Sequence, residues 1–218
     1  MDVEISGEVK TENKEGLRSD IVIYDSKGVL ILKTVTDDKG RYGFHTPLSR
    51  NEKYTLIASN DSSFDKAIPL EVAAAKNFKF MGLLILMPKL KSGKKYVLES
   101  LNFYGGSDSL LPESFGSVNG LAMLMKKNKK MVIRVEGHVN HPGSGYHAEC
   151  AKPLSEDQLL SERRAKRVVD MLADRGVEKE RMSALGLNCS KMLFPNATQE
   201  SIAKKNRRVE INVISLQE

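Results

Sequence analysis

Residues 160–172 read Leu160-Ser161-Glu162-Arg163-Arg164-Ala165-Lys166-Arg167-Val168-Val169-Asp170-Met171-Leu172. The stretch sits inside a helix expected from Glu156 to Asp174, with Gly176 placed to end it at the C′ position. Glu156 and Asp157 open that helix, where carboxylates complement the positive end of the dipole and need no chemistry to explain them. Upstream, Pro112-Glu113 suits the first turn of another helix, and Phe115, Val118, Ala122 and Met125 fall on one face of it. Tyr96 to Phe103 and Val132 to Val135 have the composition of strands, and a Gly-rich loop runs from Gly137 to Pro153. Downstream come a strand from Met182 to Leu187, a short helix from Thr198 to Lys205 and a closing strand from Val209 to Ile214. Strands alternating with helices predict an α/β or α+β domain over residues 96–218.

The first 88 residues follow a different rule. Val3, Ile5 and Val9 alternate around Gly7, and Ile21 and Ile23 continue the period of two. Turns at Asp25-Ser26-Lys27-Gly28 and Asp37-Asp38-Lys39-Gly40 separate the run Val29 to Leu32 from Tyr42 and Phe44. Further strands are expected around Tyr54, Leu56 and Ile57 and from Phe78 to Met87. Short strands at this spacing predict an all-β sandwich over residues 1–88. The polar, basic stretch PKLKSGKK marks the junction, with residues 89–95 expected to be a linker.

Length and charge agree with two domains. The chain of 218 residues carries a net charge of +6, with 40% hydrophobic and 28% charged residues, an ordinary globular composition. Residues 1–88 hold 12 Lys and Arg against 13 Asp and Glu, whereas the rest hold 22 against 15. An anionic partner should therefore meet the second half. Nucleic acid is not expected, because Phe103, Tyr104 and Tyr146 make no base-stacking platform. No stretch approaches the ~18 unbroken apolar residues a membrane helix needs, and no signal peptide opens the chain. The two cysteines, Cys150 and Cys189, either pair in an oxidising compartment, for about 4 kcal/mol on chain entropy, or remain separate thiols in a reducing one.

Four ordered motifs in the second half resemble one family. Residues 160–172 match the LSxxRAxxVxxxL helix of OmpA-like C-terminal domains. Phe103 through Leu110-Leu111-Pro112-Glu113-Ser114 is similar to that family's first strand and helix start, and Val135-Glu136-Gly137-His138 to its second strand, which ends in a GHTD-type turn. Arg181-Met182-Ser183-Ala184-Leu185-Gly186 and Asn206-Arg207-Arg208-Val209-Glu210-Ile211 resemble the remaining strands, so the likeness covers roughly 96–215. It implies an α+β domain with a mixed βαβαβαβ sheet packed on helices. In the first half, Ile5-Ser6-Gly7-Glu8-Val9, the turn Thr36 to Phe44 and Tyr54-Thr55-Leu56 are similar to carboxypeptidase regulatory-like domains. Those are transthyretin-like seven-stranded sandwiches that carry no catalysis.

The resemblance implies non-covalent capture of peptidoglycan through the diaminopimelate of its stem peptide, in the periplasm and associated with the outer membrane. The chain would be peripheral to that membrane through regions outside it, with other envelope proteins as partners and no enzymatic role. The pairing of domains is similar to that of envelope lipoproteins, some of them attached to type IX secretion machinery. In such a periplasm Cys150 and Cys189 would pair. Arg164 matches the family's carboxylate-binding arginine, whose planar fork grips a carboxylate bidentately. The family's aspartate falls on Asn140 in Gly137-His138-Val139-Asn140, with Val139 beside it in the expected ligand-binding set. Asp157 stands where many members have Asn, and Tyr104 where an acid or amide is common. Asp157 is thus a candidate to supply the missing carboxylate.

Rival chemistries are poorly supported. His138, His141, His147 and Cys150 have no standard metal spacing, and no metal or cofactor is expected. Gly143-Ser144-Gly145 lacks the spacing and following helix of a nucleophile elbow. The alternative from another class is a protein-interaction scaffold whose altered cleft no longer binds the wall.

Overall fold

A computed structural model describes residues 2–72, 79–98, 101–111, 114–141, 143, 150, 152 and 154–216. The chain divides into two compact units, Met1–Leu90 and Lys91–Glu218.

Among the described residues the first unit has seven strands, β1 (Asp2–Lys10), β2 (Asp20–Asp25), β3 (Leu30–Val35), β4 (Arg41–Pro47), β5 (Lys53–Asn60), β6 (Ser63–Glu71) and β7 (Lys79–Leu86). They form a three-stranded sheet, β4-β1-β7, and a four-stranded sheet, β3-β2-β5-β6. The period-two residues Val3, Ile5, Ile21, Ile23, Leu56 and Ile85 are all buried in one shared core. The Asp37 turn closes as its composition requires. Asp37 Oδ1 accepts from the N–H groups of Lys39 (2.9 Å) and Arg41 (2.7 Å), and Gly40 sits at φ +75°. A Cβ on Gly40 would lie 2.1 Å from the Val9 carbonyl, so only glycine closes this turn against β1. Strand β6 is the element the alternation missed. Its polar interruptions and Pro69 are tolerated because β6 is the sheet's edge.

In the second unit the elements are β8 (Lys95–Val97), α1 (Phe115–Lys127), β9 (Val132–Gly137), α2 (Glu156–Asp174), β10 (Met182–Gly186), α3 (Glu200–Asn206) and β11 (Val209–Ser215). The sheet order is β10-β9-β11-β8, with β10 parallel to β9 and β11 antiparallel to both its neighbours. Ala165, Val168, Met171 and Leu172 of α2 are buried with Val118, Leu121, Ala122 and Met125 of α1, next to the inward side chains Ile133, Val135, Ile211 and Val213. Phe115 is 42% exposed, so the buried face of α1 runs through Val118, Leu121 and Met125 instead of starting at Phe115. The strand expected over 96–103 is much shorter. Pairing with β11 stops at Val97, and Leu101 N–H turns back onto the Leu98 carbonyl (3.0 Å), which buries Leu101. Gly93 and Lys94, expected to be linker, bond instead to Val213.

Helix α2 is fixed at both ends and in the middle. The Ser155 hydroxyl caps its start by accepting from Gln158 N–H at 3.1 Å. Its end is a Schellman motif, with Gly176 N–H on Ala173 O, Val177 N–H on Leu172 O, and Gly176 at φ +81°. In the middle, a Cβ on Gly137 would sit 2.1 Å from Ser161 O, and one on Gly186 2.5 Å from Ser161 Oγ. Two glycines therefore let α2 lie directly on β9 and β10, and this contact sets where Arg164 emerges.

Candidate functional site

Among the described residues Arg164 is the largest fully buried side chain, 1% exposed. The sequence places it on a basic face with Arg163 and Arg167, yet those two are exposed while Arg164 turns inward. It is held by carbonyls, not by an acid. A turn at 104–107, closed by Ser107 N–H on Tyr104 O and followed by Tyr104 N–H on Ser109 O, presents its carbonyl groups to the guanidinium. Nε donates to Ser107 O (2.9 Å) and Nη2 to Tyr104 O (3.3 Å), and the group's Cζ lies 5.1 Å from the Phe103 ring centroid. Nη1 is buried with no partner among the described residues. Burial, and then the charge of Arg207, bring the guanidinium pKa down to about 10, while Asp108 and Asp157 act in the opposite sense. A buried cation with neutral partners and one unused donor can accept an anion.

The other expected positions are distributed around it. Tyr104 contributes its backbone carbonyl, and its side chain is 50% exposed. Val139 is buried, with its N–H on Asn188 O, so it serves the loop's packing. Asn140 Oδ1 accepts from Asn206 Nδ2 at 2.7 Å. The Phe194 backbone fixes which way Asn206 faces, because Phe194 N–H donates to Asn206 Oδ1 (3.0 Å) and Phe194 O accepts from Nδ2 (2.8 Å). Asn140 must therefore give its oxygen to Asn206. Asp157, in the first turn of α2, has Oδ2 2.8 Å from His141 Nδ1, and both side chains are about one third exposed (32% and 40%).

Cys150 is bonded to Cys189, with Cα atoms 5.1 Å apart, so neither offers a thiolate to a metal. His147, Ser144, Gly145 and Tyr146 of the same loop, like Pro112, Glu113 and Pro153, lie outside the described residues. The residue sequence reasoning missed here is Asn188, at φ +49°. Its N–H donates to Ser161 Oγ, its carbonyl accepts from Val139 N–H, and its amide reaches Ser155 Oγ (3.2 Å) and Cys150 O (3.4 Å). An Asn next to a Cys in a short post-strand loop was the available signal.

A second buried polar group lies on β9 and β11. Glu136 accepts from Lys95 Nζ (2.6 Å), Arg134 Nε (2.9 Å) and Asn212 Nδ2 (3.2 Å), and these bonds hold its carboxyl below the usual range against the upward push of burial. Glu210 is held down to about 2, first by His138, whose Nε2 is 3.7 Å away, and by Arg208, whose Nε donates at 2.7 Å. Ligand atoms of Glu136, His138 and Glu210 lie within 4.8 Å of one another. Lys95, Arg134 and Arg208 already neutralise both carboxylates, so a further cation would meet a site with no negative charge to spare.

The second unit is a small mixed sheet backed by a helix that buries an arginine beside a carbonyl-lined turn. The sequence profile of the OmpA family matches residues 102–207, and this segment is an OmpA-like domain. The chain is 36% identical over 102 residues to outer membrane porin F of Pseudomonas fluorescens, covering 47% of this chain and 28% of the porin. It is 30% identical over 129 residues to probable lipoprotein YiaD of Escherichia coli, covering 58% of this chain and 54% of the lipoprotein. It is 34% identical over 106 residues to peptidoglycan-binding protein ArfA of Mycobacterium tuberculosis, covering 48% of this chain and 29% of ArfA. The chain thus spans about half or less of the length of these relatives. Among the described residues no helix is long and apolar enough to cross a membrane.

Proposed function

We propose that the second unit binds peptidoglycan non-covalently by gripping the diaminopimelate of its stem peptide, and so tethers an outer-membrane or secretion assembly in the periplasm to the wall. The observation that carries this reading is Arg164, a buried guanidinium with neutral partners and an unused Nη1. It takes the carboxylate of the ligand's zwitterionic end. Asn140 has committed its oxygen to Asn206, so it is a poor receiver for the ligand's ammonium. Asp157 takes that role, since its charge acts on Arg164 and one of its oxygens is outside the His141 contact. The relative named a peptidoglycan-binding protein supports the ligand class. The first unit serves as a spacer of carboxypeptidase regulatory-like, transthyretin-like type, and type IX secretion machinery is one assembly in which such a pairing is used.

The test is sedimentation with purified insoluble peptidoglycan, with free diaminopimelate as competitor. Wild type co-sediments and is displaced, whereas Arg164→Ala remains in solution while keeping its circular dichroism spectrum. A folded wild type that stays in solution overturns the reading. That outcome favours the scaffold alternative, for which the locked Asn140 and the exposed Tyr104 side chain are the supporting observations.

A further inference from the structure

A cavity of about 410 Å³ lies in the second unit where three segments meet, and Arg164 is not in its lining. Strand β8 ends at Val97, and the chain folds back with Leu101 N–H on Leu98 O. The Ser114 hydroxyl then fixes Asn102, accepting from its N–H (2.8 Å) and donating to its carbonyl (2.9 Å). Val97, Leu101 and Asn102 make the first wall. Leu193 makes the second, and its neighbour Phe194 is tied by two backbone hydrogen bonds to the Asn206 amide. The end of α3 and the residues leading into β11 make the third, with Lys204, Lys205, Arg207 and Arg208. Each wall is held by bonds of the fold itself, and the volume falls in the range of about 300–1,000 Å³ usual for small-molecule sites.

Two kinds of surface are left unsatisfied there. Val97 and Leu193 are 45% and 52% exposed, so the lining keeps aliphatic surface in water. The described lining also holds four cations and no acid. Arg207 pairs with Glu200 and Arg208 with Glu210, but neither Lys204 nor Lys205 has an acid partner among the described residues. The Lys205 ammonium lies 5.6 Å from the centroid of the Phe194 ring. Arg208, with its side chain 7% exposed, spends Nε on Glu210 and Nη2 on Lys191 O, and its Nη1 is buried without a partner among the described residues. We infer that the cavity binds one monomeric aliphatic carboxylate, its chain against Val97, Leu101 and Leu193 and its head met by Lys204 and Lys205. The aliphatic wall has no use for a bare inorganic anion, and the described lining has no aromatic face for a nucleobase. Asn102 is the one neutral polar side chain in that lining, too little to satisfy the amides of a peptide. The volume suits a single short chain and is far smaller than a two-chain membrane lipid. The inference is independent of peptidoglycan capture, which is read at Arg164.

Titration calorimetry on the whole chain tests this with hexanoate, octanoate and decanoate below their micelle-forming concentrations, beside octan-1-ol, octyltrimethylammonium and acetate. Affinity should rise about fourfold per added methylene along the carboxylate series. Octan-1-ol and octyltrimethylammonium should bind at least about tenfold more weakly than octanoate, the discrimination typical of one charge-assisted contact, and acetate should give no heat. The double variant Lys204→Gln, Lys205→Gln changes two exposed side chains and should lose about tenfold for octanoate and nothing for octan-1-ol. Lys166→Gln, also exposed but paired with Asp170 and absent from the lining, should bind octanoate as wild type does. Equal affinity for octanoate and octan-1-ol, or an equal loss from Lys166→Gln, overturns the inference, because the cavity's lysines would then not read the head. No binding of any carboxylate by folded wild type overturns it outright. Flotation with phosphatidylglycerol vesicles that is abolished in the double lysine variant would assign these cations to a membrane surface and overturn it as well.

Discussion

At Arg164 the choice of residue type matters more than its charge. The side chain reaches two carbonyls with Nε and Nη2 and leaves Nη1 without a partner among the described residues, a division of donors that an ammonium cannot reproduce. Arg164→Lys should therefore weaken wall binding nearly as much as Arg164→Ala, by at least tenfold in a sedimentation isotherm. Full binding by the lysine variant would mean that charge alone is recognised. Glu210 offers a prediction in pH. Its carboxyl is held at about 2 in the fold against an ordinary 4.5, so it releases its proton more readily folded than unfolded. The stabilisation is complete above pH 4.5 and is lost as pH falls toward 2. Glu210→Gln, which keeps an acceptor oxygen for Arg208 Nε but removes the charge that pairs with it, should cost about 1–3 kcal/mol at pH 7 and flatten the acid-unfolding profile in that window. An unchanged slope there would place the acid sensitivity on another group.

Helix α2 is the element on which the site depends, and its ends and middle were unequally legible. The span Glu156–Asp174 and the stop at Gly176 follow from local rules, because capping and C′ glycines act within a few residues of themselves. The motif likeness also points to Arg164 as the carboxylate ligand. That Arg164 is buried while Arg163 and Arg167 are exposed depends on the 104–107 turn, some 57 residues away in sequence, which no local pattern encodes. The same applies to Asn140. Its partner Asn206 is 66 residues downstream, and only the geometry shows that its oxygen is already taken. Strand β6 was missed for a local reason, since Pro69 reads as a breaker until the strand is known to be an edge. Two predictions belong to this scale. Gly137→Ala forces a methyl to within 2.1 Å of Ser161 O and should destabilise the second unit by about 1–3 kcal/mol, read as a lower urea midpoint. Reducing Cys150–Cys189, which closes a loop with a sequence separation of 39, should lower stability by up to about 4 kcal/mol. Because Cys150 O and Val139 N–H both meet Asn188, reduction should also weaken wall binding at temperatures where the chain stays folded. If affinity survives reduction intact, the disulfide stabilises the fold without shaping the cleft.

On the scale of the whole molecule, the two units bury separate apolar cores. Leu56, with Ile5, Ile23 and Ile85, belongs to the first, and Val168, with Val118, Ile133 and Ile211, to the second. If the first unit is a spacer, the peptidoglycan site should be insensitive to its stability. Leu56→Ala opens a cavity at a fully buried position and should cost about 2–5 kcal/mol, and Val168→Ala, which deletes less, should cost at the lower end of that range. Scanning calorimetry should then resolve two transitions, each variant lowering one of them, since a two-state description holds only for a unit with one cooperative core. Sedimentation with peptidoglycan at a temperature below both transitions should be normal for Leu56→Ala. At a temperature between the lowered first transition and the second, Leu56→Ala should still co-sediment, because Arg164, Asp157 and the carbonyl turn all lie in the unit that remains folded. Loss of wall binding in step with the first transition would show instead that the sandwich takes part in recognition, and the second unit alone would then not account for capture of the wall.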